Sequence, residues 1–180
     1  MLMDADNCVL LVVDVQERLL PHIEGWQRVL ESAVWLVGVA GRVGVPVAAT
    51  EQYPKGIGPT HADIKALLPA GAIGEKMDFS CVSAGCLPPL PGADRRQWVV
   101  CGIESHVCVL QTVLQLRQEG KEVFVVEDAV GSRRASDKAL ALERMRRHGI
   151  DVVSREMVAF EWLKRAGSDL FRGVSRDFLR

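Results

Sequence analysis

The sequence predicts an α/β fold in which a parallel sheet is covered by helices on both faces. Three observations carry that expectation. Segments that read as strands alternate with segments of helical periodicity along the whole chain. The strand segments are near-continuous apolar runs, as burial on both faces requires. Strands separated by helices are joined by right-handed crossovers, which makes neighbouring strands parallel. With 180 residues and no internal repeat, low-complexity tract or linker, residues 1–180 are expected to form one domain with a sizeable core.

In chain order, Cys8–Asp14 (CVLLVVD) is an apolar run ending in an acid and reads as the first strand. Trp26–Val43 carries apolar residues at Val29, Leu30, Ala33, Val34, Leu36, Val37 and Ala40, a helical recurrence that Gly44 ends. Val45–Thr50 reads as the second strand. Glu51–Pro59 (EQYPKGIGP) is a loop by its Pro and Gly content, and 61–68 a short helix. Ala72–Lys76 fits a short third strand, 84–95 a Pro- and Gly-rich loop, and Gln97–Cys101 (QWVVC) a strand. His106–Glu119 is a helix stopped by Gly120, and Glu122–Val126 (EVFVV) the next strand. Ser136 caps a helix that runs to His148 and Gly149 ends it; Asp151–Ser154 is the last strand, followed by a helix over Glu156–Lys164.

Composition narrows the function classes. Hydrophobic residues make up 48% of the chain, too many for disorder, while runs such as Val9–Val13 are far too short to span a membrane. The start, Met1-Leu2-Met3-Asp4-Ala5-Asp6, lacks the basic and apolar pattern of a signal peptide. A net charge of -1 and a pI near 6.4 argue against a nucleic-acid binder. The five cysteines (Cys8, Cys81, Cys86, Cys101, Cys108) are odd in number and show no C-x-x-C spacing, which speaks against a zinc ribbon or thioredoxin motif. A reducing, cytoplasmic setting is expected, and four of the five read as small buried apolar residues.

In parallel sheets ligands bind beyond the carboxyl ends of the strands, which directs attention to Asp14, the loop after Thr50, Lys76 and the segment after Cys101. Cys108 follows Gly102-Ile103-Glu104-Ser105-His106-Val107. With Ser105 as N-cap it sits about three residues into a helix, where free amides and the dipole favour a thiolate and can receive an oxyanion. Its apolar neighbours Val107, Val109, Leu110, Val113 and Leu114 equally fit a packed cysteine, and spacing alone leaves both open. Asp14 at a buried strand end reads as a general base or as a capping acid. Lys76, alone, reads as a surface lysine. The set of three, all at strand ends on one sheet edge, is what gives it weight. Arg144, Arg146 and Arg147 near a helix C-terminus read as solvated charge. Arg133-Arg134 lies nearer the site edge, without an assigned role.

These residues resemble the isochorismatase-like cysteine hydrolases. LLVVDVQERL (10–19), the lysine in EKMDFS (75–80) and VVCGIESHVCVLQT (99–112) carry the resemblance, and TEQYPKGIGPT (50–60) is similar to the isochorismatase domain-containing branch. The resemblance covers nearly the whole chain. It implies a Rossmann-like three-layer α/β/α sandwich with a six-stranded parallel sheet. It implies a catalytic triad of Asp14, Lys76 and Cys108, a cis Ile103–Glu104 peptide, and an oxyanion hole from the N–H groups of Glu104 and Cys108. Leu19, Gln52, Tyr53 and Phe79 would line the substrate pocket, and family members are commonly dimers or larger.

The implied chemistry is hydrolysis of a small carboxamide or related C–N bond through a Cys108 thioester. Nicotinamidases of this superfamily carry an Asp-x-His metal motif after the second strand. Here Gln52-Tyr53-Pro54 stands in its place, and of the four histidines only His61 is near, so no metal and no cofactor are expected. A competing expectation is a scaffold protein that kept the fold without efficient turnover. A nucleotide-binding module is disfavoured because Val15-Gln16-Glu17-Arg18 follows the first strand, with no G-x-G-x-x-G turn. A small-molecule substrate, no nucleic acid, no membrane and a homo-oligomer are therefore expected.

Overall fold

The computed structural model describes residues 1–179. Its elements, in order, are β1 (Cys8–Val13), α1 (Trp26–Val43), β2 (Val47–Gln52), α2 (Pro54–Ile57), α3 (Ala62–Lys65), β3 (Ile73–Lys76), β4 (Gln97–Ile103), α4 (Leu110–Gln118), β5 (Glu122–Gly131), α5 (Ala135–Arg147), β6 (Asp151–Val153), α6 (Arg155–Leu163) and α7 (Asp169–Phe178). A short 3-10 turn occupies Leu20–His22 and a π-turn Ser105–Val109.

β1 is apolar throughout because both its faces are covered. Cys8, Leu10 and Val12 enter one core, while Val9, Leu11 and Val13 enter the other. The first core packs α1, α3, α6 and α7 on the sheet; the second packs α4 and α5 on its opposite face. The sheet has six strands in the order β3-β2-β1-β4-β5-β6, all parallel, as the alternating pattern predicts. The order reverses between β1 and β4. Crossovers therefore leave in opposite directions from that pair, opening a crevice at their carboxyl ends.

Gly102 closes this crevice tightly. Val13 pairs with Gly102, and a Cβ on that glycine would lie 2.1 Å from the Val13 carbonyl oxygen. Its φ of +117° excludes other residues independently.

Several elements differ from expectation: β4 runs to Ile103 rather than Cys101, a short helix α2 lies within the expected 51–59 loop, α3 ends at Lys65 rather than 68, and α4 starts at Leu110 rather than His106. β2 reaches Gln52 rather than stopping at Thr50, because Glu51 and Gln52 pair with Glu75 and Lys76 of β3. β5 runs to Gly131, carried past polar Glu127 and Asp128 by a register shift against β4 that re-forms pairing at Val130 and Gly131. α5 begins after Arg134 with no side-chain cap, so Ser136 lies inside the helix. α7 has no counterpart in the sequence expectations. Tertiary contacts hold it: the Trp35 indole N–H donates to the Phe178 carbonyl (2.8 Å), their rings meet edge-on, and Gly38 leaves room for the Phe178 ring, which an added Cβ would approach to 2.7 Å.

Candidate active site

Three strand ends and one turn supply the site. Asp14 is the first residue beyond β1, fully buried, with a φ of +50°. Aspartate tolerates this left-handed conformation better than most residues. Its N–H donates to the Thr50 carbonyl (3.1 Å) and Gln16 N–H donates to its own carbonyl (2.8 Å), so the turn is fixed on both sides. Asp14 Oδ2 meets Lys76 Nζ at 2.8 Å, with both side chains fully shielded from solvent. Asp14 Oδ1 accepts from the Thr50 hydroxyl at 2.8 Å.

Lys76 is surrounded by acceptors. Besides Asp14, its ammonium donates to Gln52 Oε1 (2.6 Å), the Phe79 carbonyl (3.0 Å) and the Asp78 carbonyl (3.3 Å). An ammonium has three hydrogens, so this one is saturated by the protein. Burial works against its charge, but the Asp14 carboxylate outweighs that and holds its pKa above the ordinary lysine value. Gln52 is held in turn: its Nε2 donates to the Met77 carbonyl (2.7 Å), and the Gln16 amide clamps its backbone through bonds of 2.8 and 3.0 Å.

Cys108 lies in the π-turn after β4, 5% exposed. Its thiol lies close enough to Asp14 and Lys76 for both to act on its ionisation, so the three residues share one buried place. The turn begins after Glu104, not at a Ser105 cap, and the N–H groups of Val107 and Val109 converge on the Glu104 carbonyl (3.1 and 3.2 Å). The expectation of a thiolate favoured by the helix start is corrected. Burial first, and then the Asp14 charge, push the thiol up to about 12 despite the opposing pull of Lys76. At neutral pH the sulfur is protonated.

The Ile103–Glu104 peptide is cis. The Glu104 side chain pairs with Arg133 and not with Lys76. It accepts from the Arg133 guanidinium (2.7 and 3.1 Å) and from the Arg133 backbone N–H (3.2 Å). Burial opposes the Glu104 charge, but these bonds prevail and hold its carboxyl below the ordinary range. Arg133 therefore anchors the turn. His106 Nδ1 lies 3.0 Å from the Ser132 hydroxyl and ties the turn to the end of β5.

The expected pocket residues separate. Gln52 faces Lys76. Tyr53 lines a cavity of about 480 Å³ with Lys55, Glu75, Met77 and Asp78 at the Lys76 end of the site. Phe79 exposes its ring while its carbonyl holds Lys76. Leu19 is partly buried and packs against the core cluster. Thr50 and Gln16 were not anticipated. The one signal for Thr50 is a hydroxyl ending the apolar run Val47-Ala48-Ala49, in register with Val13 beside Asp14. No group of three or more metal-binding side chains occurs among the described residues.

The chain is similar in sequence and fold to known proteins. The family model for the isochorismatase domain matches residues 8–157. Isochorismatase domain-containing protein 2A of Mus musculus is 34% identical over 95% of this chain and 82% of its own length. The secreted isochorismatase effector Isc1 of Phytophthora sojae is 35% identical over 94% and 83%. Among solved structures, the MAR1 ribonuclease of Caenorhabditis elegans superposes with a TM-score of 0.91 at 31% identity, covering 100% of this chain and 93% of that one. On the family-model match and these near full-length relatives, the chain belongs to the isochorismatase family.

Proposed function

We propose that this protein is a cysteine hydrolase that cleaves the C–N bond of a small carboxamide or related compound through a thioester on Cys108. The observation that carries the reading is the solvent-free Asp14–Lys76 pair beside the buried Cys108 thiol, near enough to act on its ionisation. A buried ion pair is a poor stabiliser of a fold, so its presence beside a sulfur nucleophile favours chemistry.

Because the thiol is protonated at rest, attack and deprotonation proceed together. Asp14 takes the proton as Sγ bonds to the carbonyl carbon, and the N–H groups of Glu104 and Cys108 receive the oxyanion. Asp14 then gives that proton to the departing nitrogen, and the C–N bond breaks to leave the thioester. Asp14 next deprotonates a water that attacks the thioester, and the leaving sulfur recovers the proton. Lys76 keeps its charge throughout. Saturated by protein acceptors, it orients the carboxylate and offsets negative charge without touching substrate.

No metal or cofactor enters this scheme. The C. elegans neighbour is described as a ribonuclease, but the net charge of -1 and the full engagement of Lys76 leave little to grip a polyanion. The setting proposed is cytoplasmic, supported by five unpaired thiols, and the assembly a homo-oligomer, supported by exposed Met157 and Phe160 on α6 beside Leu2. No helix among the described residues is long and apolar enough to cross a membrane. A scaffold role is the second reading, favoured by the 5% exposure of Cys108. A screen of small carboxamides and ureido acids against wild type and Cys108→Ala decides between them. Turnover lost in the variant supports the hydrolase; turnover unchanged in it overturns the thioester.

A further inference from the structure

The segment after β3 carries two thiols that this hydrolytic scheme does not use. Cys81 and Cys86 are five residues apart, and the chain between them curls back on itself. The Ala84 N–H donates to Ser80 O (3.1 Å), Gly85 N–H to Val82 O (2.9 Å) and Cys86 N–H to Cys81 O (3.4 Å). Gly85, with a φ of +64°, makes the reversal. The Cys86 thiol donates to the Cys81 carbonyl oxygen at 3.4 Å, which brings the two side chains together, and each acts on the ionisation of the other. Cys81 is fully buried, whereas Cys86 is half-buried and within reach of a small solute. On its inner side Cys81 Sγ lies 3.7 Å from the Thr50 hydroxyl, the same hydroxyl that donates to Asp14. One side chain therefore separates the pair from the catalytic carboxylate.

We propose that Cys81 and Cys86 are a modification site that closes to a reversible disulfide when the protein meets a hydroperoxide, and that closure withdraws the Cys81 sulfur from Thr50 and loosens Asp14. The steps balance. The Cys86 sulfur attacks a peroxide oxygen; an S–O bond forms, the O–O bond breaks, and the thiol proton leaves in water, giving a sulfenic acid. The Cys81 sulfur then attacks the Cys86 sulfur; the S–S bond forms, the S–O bond breaks, and a second water leaves. Two thiols and one hydrogen peroxide give one disulfide and two waters, the peroxide having accepted two electrons. A low-molecular-weight thiol reverses the change by exchange.

The environments favour this pair and this order. The interaction with Cys81 lowers the Cys86 pKa from the ordinary thiol value, which favours the more accessible Cys86 as the attacking sulfur. Cys101 and Cys8 are buried and pushed up to about 12 and about 11, which keeps them inert.

The test uses the reduced full chain with hydrogen peroxide as probe, followed by alkylation and peptide mass mapping. The expected result is a loss of about 2 Da and a linked Cys81–Cys86 peptide, reversed by dithiothreitol and absent in Cys86→Ser. Recovery of both cysteines as separately alkylated residues, or a bridge involving Cys108 instead, overturns the proposal. The link to Asp14 has its own readout. Closure should slow iodoacetamide alkylation of Cys108 at least about threefold, while Cys86→Ser should alkylate at the unoxidised rate with or without peroxide. An unchanged rate in the oxidised wild type overturns the link. Neither arm needs turnover, so failure of the hydrolytic reading would be seen separately, in the substrate screen.

Discussion

Two carboxylate–cation pairs flank the Cys108 turn, and they have opposite surroundings. Asp14 and Lys76 meet at 2.8 Å with neither side chain exposed; Glu104 and Arg133 meet at 2.7 Å with the arginine 58% exposed. Their contact distances are nearly the same, so the difference lies in water. Around Asp14–Lys76 the desolvation of both charges must be offset by protein hydrogen bonds, and Thr50, Gln52 and two carbonyls supply them. Around Glu104–Arg133 solvent screens the attraction, and the bond to the Arg133 backbone N–H makes the acid a brace between turn and β5. In the proposed reaction the buried pair serves the proton transfer, and the half-exposed pair holds the backbone that carries the sulfur.

Substitutions can break this comparison. The largest effect is expected from Asp14→Asn, which keeps the shape and the left-handed turn but removes the base. Turnover of any substrate found in the screen should fall by about 10²–10⁴-fold, and alkylation of Cys108 should slow with it. Normal alkylation in that variant would remove Asp14 from the mechanism. Next is Lys76→Met, which strands a buried carboxylate and should cost about 3–5 kcal/mol in urea denaturation. The double variant Asp14→Asn/Lys76→Met should regain part of that stability and none of the activity. A double variant no more stable than Lys76→Met would mean that the lysine acts mainly through packing. Thr50→Val is intermediate. It leaves Asp14 Oδ1 one donor short, and a loss of about 1–3 kcal/mol is expected, with turnover reduced less than in Asp14→Asn.

Much of this arrangement was legible in the chain. Continuous apolar runs such as Val9–Val13 can be buried only between two helical layers, so the sheet followed from pattern. The positions of Asp14, Lys76 and Cys108 at strand ends then placed all three on one edge. The second layer of the site was not legible, because it depends on register. Thr50 reaches Asp14 only because β2 pairs with β1 in the observed alignment, and Gln52 faces Lys76 only because β2 extends into a segment rich in loop-forming residues. The Cys108 pKa went the other way from expectation because local position suggests a helix start, while three-dimensional burial beside a carboxylate decides the sign. α7 escaped notice because its stability comes from Trp35, Gly38 and Arg42 on α1, over a hundred residues away in sequence.

The smallest effect, and the one that separates the two pairs most cleanly, concerns pH. Glu104→Gln removes the charge of the brace and should cost about 1–2 kcal/mol at neutral pH, read from the denaturation midpoint. The Glu104 carboxyl has a depressed pKa in the folded protein, so its contribution is fully present above the ordinary value of 4.5. It is lost as pH falls through the folded value, where wild type also protonates the side chain. The gap between wild type and Glu104→Gln should therefore be constant around neutrality and close in acid. High salt should narrow it too, because Arg133 faces solvent. The penalty of Lys76→Met, arising where ions do not penetrate, should be nearly indifferent to salt. Equal salt sensitivity of the two variants would show that both pairs sit in comparable water, and the division of labour drawn between them would fail.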